Sequence, residues 1–238
     1  MIASVSDDPA RRMDRMYRYT RHIYDLTRRP YLLGRDAVLD RMAMQPGGHV
    51  LEVGCGTARN LRVLHTKAPQ HTLYGLDAST EMLTTARQAC RREGSHAAIR
   101  LEQGVAQPVT PQQFGRTAPF DMVLCSYVLS MIPDAPAALN AILDVVRPGG
   151  RVYMVDFWDQ DAWPTWARHA MQRWLALFGV HHRPELHAHL TDLAERNRIH
   201  LTRTPVARRY AYAAVLTACS DSGAFATQEE GEPSTTSH

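Results

Sequence analysis

Between Val50 and Leu61 the chain reads Val50-Leu51-Glu52-Val53-Gly54-Cys55-Gly56-Thr57-Ala58-Arg59-Asn60-Leu61. A short apolar run rich in β-branched residues meets Gly-x-Gly, and apolar residues then return at helical spacing with Leu61 and Leu64. That sequence of patterns spells strand, tight turn, helix, the corner at which α/β proteins hold nucleotides. The remainder of the chain has to be compatible with it.

The residues beyond the glycines decide the ligand of such a corner. A dinucleotide fingerprint places a third glycine three residues further on, where helix and strand approach closely over a pyrophosphate; here that position is Arg59. Asp77 ends a second apolar run, Thr72-Leu73-Tyr74-Gly75-Leu76, about 20 residues beyond the turn, where an acid hydrogen-bonds a ribose. A ribose without a pyrophosphate points to S-adenosylmethionine, whose amino-acid end can rest on glycine backbone with Glu52 near its ammonium.

The stretch resembles the first motif of class I S-adenosylmethionine-dependent methyltransferases, and later matches come in that family's order. Asp77-Ala78-Ser79 with Met82 looks like the ribose segment. Phe120 to Tyr127 looks like the fourth strand, and Leu143 to Arg151, with Arg147-Pro148-Gly149-Gly150, like the turn into the fifth. The resemblance covers residues 45 to 157. It implies an α/β fold: a Rossmann-like, seven-stranded, mostly parallel sheet with helices on both faces. It also implies cofactor contacts from Glu52, Gly54, Cys55, Gly56, Asp77, Ala78, Met82, Val105, Ala106 and Ser126. In the family an acid commonly stands where this chain has Val105, so adenine is expected to be read by backbone groups or by Gln107.

With 238 residues and 45% hydrophobic composition, the chain can bury one substantial core. The expected division is a helical lid at 1–44, a core at 45–219 carrying a Trp-rich helical insertion at 157–190, and a disordered tail at 220–238 rich in Ser, Thr, Gly and Glu. No apolar run suits a signal peptide or a bilayer span. The formal charge is only +3 and Lys67 is the sole lysine, so the arginines read as solvated faces. Cys55, Cys90, Cys125 and Cys219 show no metal or disulfide spacing. His181, His182, His187 and His189 lack a full ligand set, so no metal is expected.

Ahead of the first strand, two helices are expected on either side of Pro30, in the place where class I methyltransferases often carry a lid. Tyrosines and arginines crowd this segment, and Tyr24, Tyr31 and Arg35 are expected near the cofactor. Pro108 to Pro119 reads as a polar loop, after which strand four should deliver Ser126-Tyr127 to the ligand edge of the sheet. Enzymes acting on exocyclic amines of bases carry Asn or Asp, Pro, Pro and an aromatic there, so nucleic acid is not an expected partner. Tyr127 and Asp156, ending strands four and five, are the candidates for orienting an amine or taking its proton.

All four tryptophans fall between Trp158 and Trp174. Beyond Pro164, Trp166, Ala170, Trp174, Leu177 and Phe178 share one helical face, which reads either as core filling or as an apolar acceptor pocket or membrane-facing surface. Residues 198–203 and 208–217 read as a closing strand pair.

A narrower resemblance lies in Met13-Asp14-Arg15-Met16-Tyr17-Arg18-Tyr19-Thr20-Arg21-His22-Ile23-Tyr24-Asp25-Leu26-Thr27-Arg28-Arg29-Pro30-Tyr31-Leu32-Leu33-Gly34-Arg35-Asp36. It looks like the opening of the betaine-lipid N-methyltransferases, which convert diacylglyceryl-homoserine into diacylglyceryl-trimethylhomoserine. That resemblance implies a lipid substrate met at the cytoplasmic face of the inner membrane by a peripherally bound enzyme. Arginines would hold the homoserine carboxylate and tyrosines the growing quaternary ammonium. Tyr19, His22, Trp158 and Trp166 are the expected substrate contacts. The alternative is a soluble small-molecule N- or O-methyltransferase on the same fold.

Overall fold

The computed structural model of the chain describes residues 32–177, 180 and 183–219. The expected contacts Tyr19, His22, Tyr24 and Tyr31, together with Phe178, His181, His182 and the tail, lie outside the described residues.

In order, the elements are α1 (Arg35–Ala43), β1 (His49–Val53), α2 (Arg59–Lys67), β2 (Thr72–Asp77), α3 (Thr80–Arg92), β3 (Ile99–Gln103), β4 (Phe120–Ser126), α4 (Ala135–Asp144), β5 (Val146–Phe157), α5 (Thr165–Ala176), α6 (Pro184–Glu195), β6 (Ile199–Val206) and β7 (Ala211–Ala218). They form one seven-stranded sheet of order β3-β2-β1-β4-β5-β7-β6. The first five strands pair in parallel, and β7 enters antiparallel between β5 and β6. This is the expected Rossmann-like sheet.

Parallel central strands are covered on both faces, which is why their sequences are largely apolar, interrupted by Glu52 in β1 and Asp121 in β4. One apolar layer joins Val50, Leu73 and Leu124 to α1, α2, α3 and Leu175 of α5. The other joins Leu51, Val123 and Met154 to α4 and α6. Val50, Leu51, Leu61, Leu64 and Leu73 are fully buried, each such side chain contributing about 1.5–3 kcal/mol. The order reverses between β1 and β4, and ligands bind outside the carboxyl ends of the strands at such a point.

Three expectations are corrected. α1, assigned to a lid, is a core element: Val38, Leu39 and Met42 are at most 6% exposed, and Arg59–Asp36 (2.9 Å) and Lys67–Asp40 ion pairs fasten it along α2. The polar loop between Pro108 and Pro119 contains a 3-10 turn, Pro111–Phe114, whose Phe114 is buried against Tyr74 and Phe120. α6 runs to Glu195, past the expected insertion boundary at 190, and packs on the sheet through Leu186 and Leu190.

Candidate active site

The corner between β1 and α2 is built around backbone that only certain residues tolerate. Gly54 has φ +71°, and a Cβ there would collide with the Val128 side chain. Gly56 has φ +53°, and a Cβ there would meet nothing within 4 Å. Its backbone therefore faces open space, as a ligand cradle requires. Ala58 holds the same left-handed region, φ 58°, at the N-cap of α2 and is fully buried.

Adjacent strands lock the turn. Gly54 and Cys55 donate backbone hydrogen bonds to Leu76 O at 2.8 and 2.9 Å. Asp77 accepts from Gly56 N at 2.8 Å through Oδ2 and from Ser79 N at 2.9 Å through Oδ1. A carboxylate oxygen can accept two hydrogen bonds, so a ribose diol can share this carboxylate with the backbone amides. Ser79 Oγ accepts from Met82 N at 3.3 Å, capping α3, and Met82 itself is buried beneath the ribose segment. Gly104 N donates to Asp77 O at 3.0 Å, and Gln103 Nε2 donates to Ala78 O at 3.2 Å. These bonds hold the β3 loop, with half-exposed Val105 and buried Ala106, beside the Asp77 loop.

Glu52 is the most informative residue. It is 1% exposed, and Oε1 accepts a hydrogen bond from Asn60 Nδ2 at 2.7 Å. Oε2 is buried with no hydrogen-bond partner among the described residues. Burial pushes the carboxyl up to about 8, against the pull of the Asn60 bond and the Arg35 charge. An orphan carboxylate oxygen is costly unless a cation completes it. Leu124, the register partner of Glu52, shares its face with Ser126, whose Oγ is also buried and unpartnered among the described residues. Arg35, largely buried and lowered first by burial and then by the Arg59 charge, interacts with Glu52 and Tyr127.

This donor set fits S-adenosylmethionine. Glu52 Oε2 would meet the ammonium, Arg35 the carboxylate, Asp77 the ribose, and Val105 and Ala106 the adenine. The Cys55 thiol is raised by burial, which makes it an inert wall.

The two candidates for proton handling are placed differently from expectation. Tyr127 has φ 55°, is buried, and donates its phenolic proton to Leu33 O at 2.6 Å. Burial pushes the phenol further up, so it stays a neutral donor. Asp156 accepts from Ser130 N at 3.0 Å and Phe157 N at 2.8 Å. Burial raises its carboxyl, the Ser130, Phe157 and Leu129 bonds opposing. It pairs in register with Tyr212 in the α4 and α6 layer, across the sheet from Phe157 and Tyr127. Asp156 thus holds the turn after β4 rather than facing an amine.

The expected substrate tryptophans also part company. Trp158 lies in the α6 layer, 6.1 Å from the His187 ring and under the Arg209 guanidinium at 4.2 Å. Trp166 is 77% exposed on the outside of α5. In the other layer lies a largely buried aromatic row that no sequence motif marks. Tyr127 meets Phe157 edge-to-face at 4.7 Å, Phe157 meets Tyr210 at 5.6 Å, and Trp163 stacks on Tyr210 at 5.9 Å.

That row is held by a staple between the β5–α5 loop and the β6–β7 turn. Ala207, Arg208 and Arg209 take φ 46°, 54° and 63° in succession. Arg209 grips Asp159 with two nitrogens, Nε at 2.8 Å. Buried Gln160 donates its amide to Trp158 O and to Tyr210 O, the latter at 3.1 Å.

A sheet of this order, with a glycine corner at its switch point and an acid ending β2, defines a class I methyltransferase fold. Residues 44–204 match the methyltransferase domain family, and the chain belongs to it. A demethylmenaquinone methyltransferase of Geobacillus sp. (strain WCH70) is 32% identical over 130 residues, 54% of this chain and 53% of that one. A phosphatidylethanolamine N-methyltransferase of Cereibacter sphaeroides is 30% identical over 137 residues, 57% of this chain and 64% of that one. The chain spans about half the length of the curated relatives it matches. Among solved structures, a SAM-dependent methyltransferase from Aquifex aeolicus shares the fold with TM-score 0.57 at 17% identity over 80% of this chain and 93% of its own. The DhpI-SAM-HEP complex shares it with TM-score 0.60 at 21% identity over 89% and 99%.

Proposed function

We propose that the protein is an S-adenosylmethionine-dependent N-methyltransferase of a lipid head-group amine. It converts diacylglyceryl-homoserine to diacylglyceryl-trimethylhomoserine while bound peripherally at the cytoplasmic face of the inner membrane. The observation that carries this reading is the aromatic row Tyr127–Phe157–Tyr210–Trp163, which starts at the β4 end beside Arg35 and Glu52 and continues to the start of α5. Tyr127, Phe157 and Tyr210 are buried, and half-buried Trp163 is the accessible end of the row, whose ring would attract a substrate nitrogen that becomes a quaternary ammonium. The betaine-lipid resemblance of residues 13–36 and the phosphatidylethanolamine N-methyltransferase among the relatives support a lipid acceptor.

The cofactor supplies an electrophilic methyl group on a sulfonium. Glu52 and Arg35 would hold its amino-acid end and Asp77 its ribose, so that alignment, the main requirement of an in-line displacement, would come from residues at the strand ends. Tyr127 keeps its proton and anchors the segment before α1 through Leu33 O. Asp156 is engaged by the Ser130 and Phe157 amides on the other side of the sheet, so the amine would give its proton to solvent and enter as the free base, which desolvation favours.

Mass spectrometry of vesicles containing diacylglyceryl-homoserine, incubated with protein and S-adenosylmethionine beside a panel of soluble amines, tests the reading. Stepwise gain of methyl groups on the lipid is the expected result. Modification of a soluble acceptor alone would replace it with the small-molecule reading, which the trans-aconitate 2-methyltransferase of Azoarcus sp. (strain BH72), 30% identical over 113 residues, favours.

A further inference from the structure

The apolar stripe of α5 faces away from the protein. Leu175 packs inward at 5% exposure and Met171 packs against the same core, while Trp166 is 77%, Leu177 79% and Trp174 36% exposed. At 3.6 residues per turn, Trp166, Ala170 and Leu177 fall within a narrow sector at the middle of the outward face. Trp174 borders it on one side; exposed Arg173 and His169 border it on the other. An ordinary surface helix has the reverse arrangement, with polar residues outermost. Large apolar side chains exposed together mark a contact surface.

We propose that this outward face of α5 docks the protein on an anionic lipid bilayer, Trp166 and Leu177 entering the interface and Arg173 and His169 lying at the level of the lipid phosphates. The proposal rests on the lipid-acceptor reading and adds to it the element that meets the membrane. Charge selects the occupant. From Ala162 to Arg183 the chain has no Asp or Glu; Arg168 and Arg183 pair with Asp161 and Glu185 just outside that stretch, and exposed Arg173 makes no ion pair among the described residues. Tryptophan with arginine on a short helix is the composition that settles at headgroup depth. Among the described residues no helix is long and apolar enough to cross a membrane, so an in-plane helix is the attachment the described fold offers.

Position supports the same occupant. Trp163, just ahead of α5, stacks inward on Tyr210, and Trp166, one turn later, points outward. The beginning of the helix therefore joins the aromatic row of the acceptor side to the exposed face. A lipid could keep its acyl chains in the bilayer while its head group reaches the row.

Sedimentation of the full chain with vesicles of phosphatidylglycerol and phosphatidylcholine, against phosphatidylcholine alone, tests this. Expected is binding to the anionic vesicles, weakened by salt, and a loss of at least about tenfold in affinity in Leu177→Glu and in Trp166→Glu. Thermal midpoint and S-adenosylmethionine affinity should be kept, which shows the variants are folded. Undiminished vesicle binding by both variants, or none by the wild type, overturns the proposal. A dimer in lipid-free ultracentrifugation that both variants abolish assigns the face to a second copy and overturns it too. Lipid methylation with unaltered docking in the variants would sink only the α5 assignment. Docking through α5 with methylation of soluble amines alone would sink only the lipid acceptor.

Discussion

The cofactor corner and the α5 flank each set side chains against their usual environment, in opposite directions. At the corner a carboxylate is buried and an oxygen left without a partner among the described residues; on the flank, indole and leucine side chains are left in water. Each is an unfavourable arrangement in isolation, since buried charge and exposed apolar surface both cost free energy. On the readings proposed above, a small cation would meet the corner's deficit and a lipid surface the flank's. Sites that break local rules are where function is expected.

Substitutions that move the two regions apart sharpen this contrast. Gly54→Ala forces a side chain onto φ +71° and into Val128, so a loss of about 2–5 kcal/mol in urea unfolding is expected; a loss below about 1 kcal/mol would mean the corner is looser than its contacts imply. Glu52→Gln tests the buried carboxyl through pH. The folded group titrates near 8, well above the unfolded carboxyl range. Between those values the folded state holds a proton that the unfolded state has released. Wild-type stability therefore falls as pH rises from about 4.5 to 8, by up to about 1.4 kcal/mol per unit, and is flat above. The glutamine variant loses that slope and exceeds the wild type by up to about 5 kcal/mol at pH 9; parallel profiles would contradict the burial of an uncompensated charge.

The two tryptophans separate the flank's inner and outer roles. Trp163→Ala removes a ring packed on Tyr210 and should cost about 2–3 kcal/mol by denaturant titration, whereas Trp166→Ala, three residues on, should change stability by no more than about 0.5 kcal/mol. Equal losses would place Trp166 in the core. The smallest effect is expected at Ala58→Gly. Relief of a left-handed φ, worth about 1 kcal/mol, is offset by a lost buried methyl of about 0.8 kcal/mol.

The corner was legible in the sequence because its parts are local: strand, glycines, Asn60 and helix lie within a dozen residues, and Asp77 comes at a fixed interval beyond them. Even there, Ala58 in a left-handed N-cap and the orphaned state of Glu52 Oε2 emerge only from packing. The flank was legible in composition but not in direction. The spacing of Trp166, Ala170, Trp174 and Leu177 defines one face, yet periodicity cannot say whether a face looks inward or outward. Trp158 and Asp156 read as acceptor residues because they stand at the end of β5; strand alternation turns both to the opposite layer. The staple of Gln160, Asp159 and Arg209 joins residues about 50 apart with no shared motif, so Tyr210 entered the aromatic row unannounced.

The central claim is that the buried carboxylate of Glu52 is completed by the cofactor's ammonium. Calorimetric titration of S-adenosylmethionine into the wild type and Glu52→Gln from pH 6 to 10 tests it directly. The α-amino group of a ligand ordinarily titrates at about 7.7–8.0, and Glu52 titrates near 8 in the ligand-free protein. Wild-type affinity should therefore be bell-shaped around pH 8, with an acid limb approaching about tenfold per pH unit as Glu52 is protonated. The acid limb should vanish in Glu52→Gln and the alkaline limb flatten with it, with weaker binding near the optimum. An acid limb that survives the substitution would contradict the claim and assign the ammonium to another group.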